Sequence, residues 1–566
     1  MSEQNDVQMH WDVKIAMRDG VQLSATVYLP QGHSKPTPAL FTLTPYIAQT
    51  YHEVGMDFAA HGYPFLTVDV RGRGNSEGHF RPMIQEAQDG YDIVEWLARQ
   101  SYCNGQVAMW GGSYAGLDQW NTARERPPHL ATIVPTASPY IAEDYPIRGN
   151  IPSPYLMQWL TLVSGRTSQD KMFWNNELYW GKRFAQWFES GLPFNELDSF
   201  LGNPSATFRE WVSHPRQDAY WDQHNPTAEQ YAKLSIPILT ITGSYDGDQP
   251  GALKHYREHL KNAPAAIRAR HYLIIGPWDH AGTRTPQAEF VGLKVGPASL
   301  VDMSKLHRQW YAWTMQDGPK PEFLKKSVAY YVMGANRWRY TDTLEAITAR
   351  SQPWYLHATH NPDDVFHSGA LTTEPPVASD PDHYVYDPRD VSHAAIESLV
   401  DPESRADQRM VHAMVGKRLV YHSAPFEQDT EISGFFKLSA WLSIDQPDTD
   451  FGVWVYDIQA DATSVLLTSD GLRARYREGL REEKLIRSTE PLEYHFDGFM
   501  FISRLIKKGN RLRVVFGPLN SIYWQKNYNS GGVVAEESMQ DARTVNVKLF
   551  HDPSRPTVLH VPLGQP

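Results

Sequence analysis

The hydrophobic pattern opens with alternation. Val13, Ile15 and Met17 are interleaved with polar residues, Arg18-Asp19-Gly20 offers a turn, and Val21, Leu23, Ala25, Val27 and Leu29 alternate again. Such a period of two predicts a β-hairpin. The pattern then changes to short continuous apolar runs at 39–44, 64–70, 107–110 and 130–136. Between them Ile84, Ala87, Tyr91, Val94 and Leu97 fall at helical spacing and predict an amphipathic helix to about residue 100. Strands without alternation, separated by helices, predict a mostly parallel sheet covered on both faces.

From about residue 145 to 234 the apolar runs stop. Trp159, Phe173, Trp174, Trp180, Phe184, Trp187, Phe188, Trp211 and Trp221 appear at irregular helical spacing instead. The strand rhythm resumes at 236–243, followed by a helix over 250–260 and a strand at 272–275. A chain that leaves a sheet and returns to it carries its insertion as a cap over the strand ends, where α/β sheets bind ligands. Past residue 350 come Pro-, Asp- and His-rich loops, then short alternating strands at 434–444, 452–458, 511–516 and 545–550. The expected organisation is α/β: an α/β domain over 1–145 and 236–350, a helical cap over 146–235, and an all-β sandwich or jelly roll over 351–566.

Composition narrows the function. The 566 residues are too many for one core. A net charge of −12 argues against a nucleic-acid or anionic-membrane partner. Cys103 is the single cysteine, which removes disulfides and Cys-based zinc sites. No His-x-x-x-His helix or paired ligand cluster suggests a metal, and no cofactor is expected. The first residues have neither a basic region nor an apolar core of a signal peptide, and no run approaches ~18 apolar residues, so a cytoplasmic enzyme is the expectation. Its partner would be a small-molecule ester or amide, with a homo-oligomer left open.

The chemistry centres on Gln106-Val107-Ala108-Met109-Trp110-Gly111-Gly112-Ser113-Tyr114-Ala115-Gly116. An apolar run, a glycine pair, a serine and an immediate helical pattern together read as a nucleophile elbow, whose neighbours must be small because the two arms of the turn nearly touch. A serine nucleophile needs a base and an orienting acid, which in this fold follow in the order Asp/Glu, His at the ends of later strands. The run 236–243 ends in Ser244-Tyr245-Asp246-Gly247-Asp248, and 272–275 ends in Gly276-Pro277-Trp278-Asp279-His280. Ser113, Asp246 and His280 are therefore the candidate nucleophile, acid and base, with Asp248 and Asp279 as rivals for the acid. The oxyanion donors are the N–H of Tyr114 and, at the end of 39–44, the phenol of Tyr46. On the residues alone an aromatic merely packing there is an alternative for Tyr46.

These segments resemble a known family. Thr44-Pro45-Tyr46, Asp69-Val70-Arg71-Gly72-Arg73-Gly74 with Ser76-Glu77-Gly78, Gly111-Gly112-Ser113-Tyr114-Ala115-Gly116, Gly243-Ser244-Tyr245-Asp246, Gly276-Pro277-Trp278-Asp279-His280 and Asp448-Thr449-Asp450-Phe451 follow one another as in the X-Pro dipeptidyl-peptidase-like serine hydrolases, the group of cocaine esterase and the α-amino-acid ester hydrolases. The resemblance implies an α/β-hydrolase domain, an inserted helical cap and a C-terminal jelly roll. It also implies that Tyr46 is an oxyanion donor, and it accounts for Ala115 where the generic elbow has glycine. Ser244 stands where relatives often carry a bulky aromatic, which implies a roomier wall near Asp246. Amino-ester and aminopeptidase members hold a substrate ammonium with carboxylates, and Glu143, Asp144 and Asp248 are the candidates here, as a minority reading. The aromatic cap suits an apolar or aromatic acyl group better.

Overall fold

A computed structural model describes residues 6–32, 35–175 and 179–565. The hairpin is strands β1 (Val7–Ala16) and β2 (Gln22–Pro30), paired antiparallel with a register break between His10 and Val13. They form one edge of a ten-stranded sheet. Its remaining strands are β3 (Thr37–Thr44), β4 (Phe65–Asp69), β5 (Cys103–Gly112), β6 (Leu130–Thr136), β7 (Ile238–Tyr245), β8 (His271–Asp279), β9 (Val328–Val332) and β10 (Arg337–Thr341). The spatial order is β1-β2-β4-β3-β5-β6-β7-β8-β9-β10. From β4 to β9 all neighbours are parallel. β4 and β7 are buried along their whole length, as strands covered on both faces must be. β10 returns antiparallel on β9 and closes the other edge.

Helices Glu86–Ala98 and Tyr114–Glu125 pack on one face, where Ile93, Val94, Leu97 and Trp120 meet Phe41, Val68, Met109 and Ile133. Helices His52–Ala60 and Met303–Met315 cover the other, with Phe58, Leu306, Trp310 and Tyr311 against Leu40, Phe65, Ala108 and Ile274. The helix Met303–Met315 and strands β9 and β10 were not read from the sequence. β8 runs four residues beyond the apolar run 272–275, because its ladder to β7 breaks between Gly276 and Asp279 yet continues to Asp279–Tyr245. His280 therefore begins where the strand ends.

The chain between β6 and β7 holds helices Tyr155–Leu162, Gly181–Ser190 and Ala206–Val212 with several shorter turns. Their aromatic side chains form one core: Trp159, Trp180, Phe184, Trp187, Phe188, Phe208, Trp211 and Trp221 are all buried. Tyr114 and Leu117 of the helix after the elbow share that core, which seats the helical layer directly on the strand ends.

From Arg350 on, a mostly antiparallel thirteen-stranded assembly follows. The strand Asp450–Ile458 is paired on both sides, with Ser464–Arg473 and Arg511–Pro518. Its start explains the Asp448-Thr449-Asp450-Phe451 segment. Asp450 receives Arg473 Nε at 2.8 Å and Nη2 at 2.9 Å, while Asp448 receives Arg475 Nε at 2.8 Å. Asn527 Nδ2 donates to both carboxylates at 2.8 Å. Arg473 also reaches the carbonyl of Asn150, whose amide donates to the carbonyl of Leu480 at 2.7 Å, so the buried charges tie this β-rich unit to the helical layer. Among the described residues no helix is long and apolar enough to cross a membrane.

Candidate active site

The elbow forms at the end of β5. Ser113 has φ 62° and ψ −128°, a conformation costly for a residue with a Cβ and held only by strong surroundings. Its N–H donates to the carbonyls of Thr136 and Ala137 at 3.0 Å, and its carbonyl receives the N–H groups of Gly116 and Leu117. The N–H of Tyr114 stands at the head of the helix, outside the intrahelical ladder. Small neighbours are obligatory. A Cβ on Gly111, at φ 148°, would lie 2.6 Å from that of Ala115, and one on Gly116 would lie 2.7 Å from the carbonyl oxygen of Thr136. Gly112 leaves room for the Arg284 side chain, which would have to shift if a Cβ stood there.

His280 and Asp246 meet at the adjacent strand ends. Asp246 Oδ1 lies 2.8 Å from His280 Nδ1. Asp246 is fully buried, and Thr242 Oγ1 donates to its Oδ2 at 2.9 Å while the N–H of Asp248 donates to Oδ1 at 3.1 Å. Its orientation is thus fixed from three sides. The two rivals behave differently. Asp279 accepts the N–H of Gly282 at 2.7 Å, inside its own turn. Asp248 Oδ2 stands 3.7 Å from His280 Nδ1, a second carboxylate beside the ring. Burial pulls the pKa of His280 down, but the hydrogen bond to Asp246 and the charges of Asp248 and Asp246 outweigh it, and the net shift is upward. Burial, helped by the charge of Asp246, lifts Asp248 to about 7 against the pull of His280 and Arg284. Donor atoms of Asp246, Asp248 and His280 lie within 4.8 Å of one another, the one set among the described residues close enough to hold a cation, but the Asp246–His280 pair is already joined by its own hydrogen bond.

Tyr46 follows β3. Its phenol accepts the indole N–H of Trp159 at 3.1 Å, and the Ser113 hydroxyl lies near enough to lower its pKa. Burial pushes its pKa far above the usual value despite these two contacts, so it stays a neutral donor at pH 7. The loop that carries it is anchored by residues of the Asp69–Gly74 segment. Asp69 Oδ1 receives the N–H of Ala48 at 2.7 Å, and fully buried Arg73 donates from Nε to the carbonyl of Pro45 at 2.8 Å. Arg73 Nη1 reaches the carbonyls of Val163, at 2.8 Å, and Gly165, just past the helix that holds Trp159.

Tyr114 is anchored through its side chain. Its hydroxyl accepts the N–H of Met83 at 2.6 Å and donates to buried Glu86. Burial raises Glu86 to about 7, with Tyr114 opposing and Asp89 adding to it. Glu86 and Arg284 carry no signal in the sequence, and Trp159 stands there only as one of the cap aromatics, because each acts through contacts with residues distant in the chain.

Of the three acids considered for an ammonium, Asp144 is held by backbone N–H groups and Glu143 faces a part-exposed lysine. Glu143 Oε2 lies 3.7 Å from Lys254 Nζ, and Asp144 accepts the N–H groups of Tyr140 and Gly251. Ser244 is buried at 2 % exposure, as is Asp246 at 0 %. A cavity of about 170 Å³ lies behind the elbow, lined in part by Trp110, Gly111, Thr136, Arg284 and His307.

Comparison with known proteins agrees with this architecture. Residues 19–282 match the model of the X-Pro dipeptidyl-peptidase (S15 family), and residues 323–552 match that of the X-Pro dipeptidyl-peptidase C-terminal non-catalytic domain. The chain is 26% identical to the cocaine esterase of Rhodococcus sp. (strain MB1 Bresler), over 98% of both chains. An α-amino acid ester hydrolase structure superposes with a TM-score of 0.83 at 21% identity, covering 99% of this chain and 97% of the other. An aminopeptidase from a marine sediment Thaumarchaeota archaeon does so with the same score, identity and coverage. With an α/β-hydrolase core, a β-rich C-terminal domain and both family models in register along it, the chain belongs to the X-Pro dipeptidyl-peptidase (S15) family of serine hydrolases.

Proposed function

We propose that the protein hydrolyses esters or amides with apolar or aromatic acyl groups, through an acyl-enzyme on Ser113. The observation that carries the mechanism is the 2.8 Å contact between His280 Nδ1 and Asp246 Oδ1, beside a serine held at positive φ. With Nδ1–H donated to the carboxylate, Nε2 is the basic nitrogen of the ring. Ser113 Oγ attacks the acyl carbon as Nε2 takes its proton. The tetrahedral oxyanion is held by the Tyr114 N–H and the Tyr46 O–H. His280 then returns the proton to the leaving alcohol or amine, and Asp246 stabilises the imidazolium in between. Water deprotonated by His280 releases the acid and restores Ser113.

The acyl preference is supported by the aromatic surfaces gathered over the elbow, where Trp159 packs with Tyr114, Tyr145 and Trp211. The cocaine esterase and the α-amino acid ester hydrolase similar to this chain are both named for ester substrates. Recognition of a free α-ammonium would rest mainly on Asp248, since Asp144 accepts two backbone N–H groups and Glu143 stands 3.7 Å from Lys254.

A fluorophosphonate should label Ser113 and no other residue, and Ser113→Ala should abolish turnover of small aryl esters. Full turnover by that variant would overturn the proposal. N-blocked and free-amine esters of the same acyl group should be turned over alike; strong preference for the free amine would restore the ammonium reading.

A further inference from the structure

Trp159 belongs to the helical layer, yet it touches the residues of both proposed oxyanion donors. Its indole N–H donates to the Tyr46 phenol oxygen at 3.1 Å, and its ring stacks on that of Tyr114, with centroids 5.8 Å apart and planes 13° from parallel. It is 5 % exposed, braced on its other side by Tyr145 and Trp211. Arg73 holds the two backbones together, because it binds the carbonyl of Pro45 before Tyr46 and that of Val163 after the helix Tyr155–Leu162.

A phenol has one proton and a rotatable C–O bond. An oxyanion donor must point that proton at the place where charge develops, without reorganising as it does so. An N–H donated into the phenol oxygen occupies one acceptor direction and forbids the O–H from turning toward the indole. It also polarises the O–H, making it a stronger donor. We infer that Trp159 is a positioning residue of the oxyanion hole, aiming the Tyr46 hydroxyl toward the Ser113 side while its ring keeps Tyr114 in place. The helical layer then supplies part of the catalytic geometry as well as covering the site. This inference rests on the assignment of Tyr46 as an oxyanion donor.

The test is a double-mutant cycle on aryl-ester hydrolysis. Tyr46→Phe alone should lower kcat by about 10²–10³-fold, the weight of one oxyanion donor. Trp159→Phe keeps an aromatic ring and removes the N–H. It should lower kcat on the order of tenfold, about the worth of one hydrogen bond, with KM little changed. Combined with Tyr46→Phe it should cost nothing further, because the indole has no phenol left to aim. Replacement of Trp159 by its benzothiophene analogue, which preserves shape and stacking, should reproduce the Trp159→Phe loss and covers the case in which that variant folds poorly. A full loss from Trp159→Phe in the Tyr46→Phe background, or wild-type kcat with the benzothiophene analogue, would overturn the inference. An unaffected Tyr46→Phe enzyme would instead overturn the assignment of Tyr46 itself.

Discussion

Asp248 Oδ2 stands 3.7 Å from the same ring nitrogen of His280 that Asp246 holds at 2.8 Å. The two carboxylates sit two residues apart on one turn, and the N–H of Asp248 donates to Asp246, so the nearer acid orients the ring while the second adds charge beside it.

The charge has a measurable consequence. A base must be unprotonated to accept the Ser113 proton, so kcat/KM should rise with pH through the pKa of His280, which lies above its ordinary value. Removing a neighbouring negative charge makes the imidazolium less favourable. Asp248 itself titrates at about 7 and shares its protons with His280, so Asp248→Asn should replace a limb set by the pair with that of a single group at lower pH, leaving the maximal rate within a few-fold. A pH–rate profile on a neutral aryl ester checks it, and an unmoved limb contradicts it.

Asp246→Asn should behave differently. In the proposed mechanism the amide cannot accept Nδ1–H in the same way, the tautomer is lost, and kcat should fall by about 10⁴-fold, as for the equivalent change in serine hydrolase triads. Thermal unfolding of the variant should change far less than its rate.

The Asp450–Arg473 pair predicts stability. Both side chains are nearly inaccessible and share two hydrogen bonds, so removing one partner leaves an unpaired buried charge. Asp450→Ala should cost about 3–5 kcal/mol in chemical denaturation. Because Arg473 also reaches Asn150, proteolysis of the helical layer should increase with it.

A histidine cluster behind the elbow helix sets acid sensitivity. His255 stacks on Trp120 at 4.8 Å, and His259 Nδ1 lies 2.9 Å from His271 Nδ1. Burial lowers His255 to about 3 and His259 to about 4, and it holds His271 well below its usual value. The unfolded chain takes up these protons first, so stability is present above about pH 6.5 and is lost as pH falls toward 4, by up to about 1.4 kcal/mol per pH unit for each histidine. His259→Leu should flatten the fall in denaturation midpoint between pH 7 and 5, and an equally steep fall would refute the assignment.

Much of this molecule is legible in one dimension. The hairpin, the parallel strands, the elbow and the order Ser113, Asp246, His280 follow from apolar runs, glycine positions and the rule that functional groups sit at strand ends. Those signals are local, since each rests on a few consecutive residues and the backbone geometry they permit. β9, β10 and the helix Met303–Met315 extend the sheet and its cover beyond the His280 loop, where the strands expected from the sequence end. The sequence also left the roles of Asp248 and Glu143 open. Only tertiary structure put Trp159 on Tyr46, Arg73 across two backbones, Glu86 on Tyr114 and Lys254 beside Glu143. The physical reason is that a hydrogen bond between residues 113 positions apart leaves no trace in the periodicity of either segment. It exists only once the helical layer has folded down onto the strand ends.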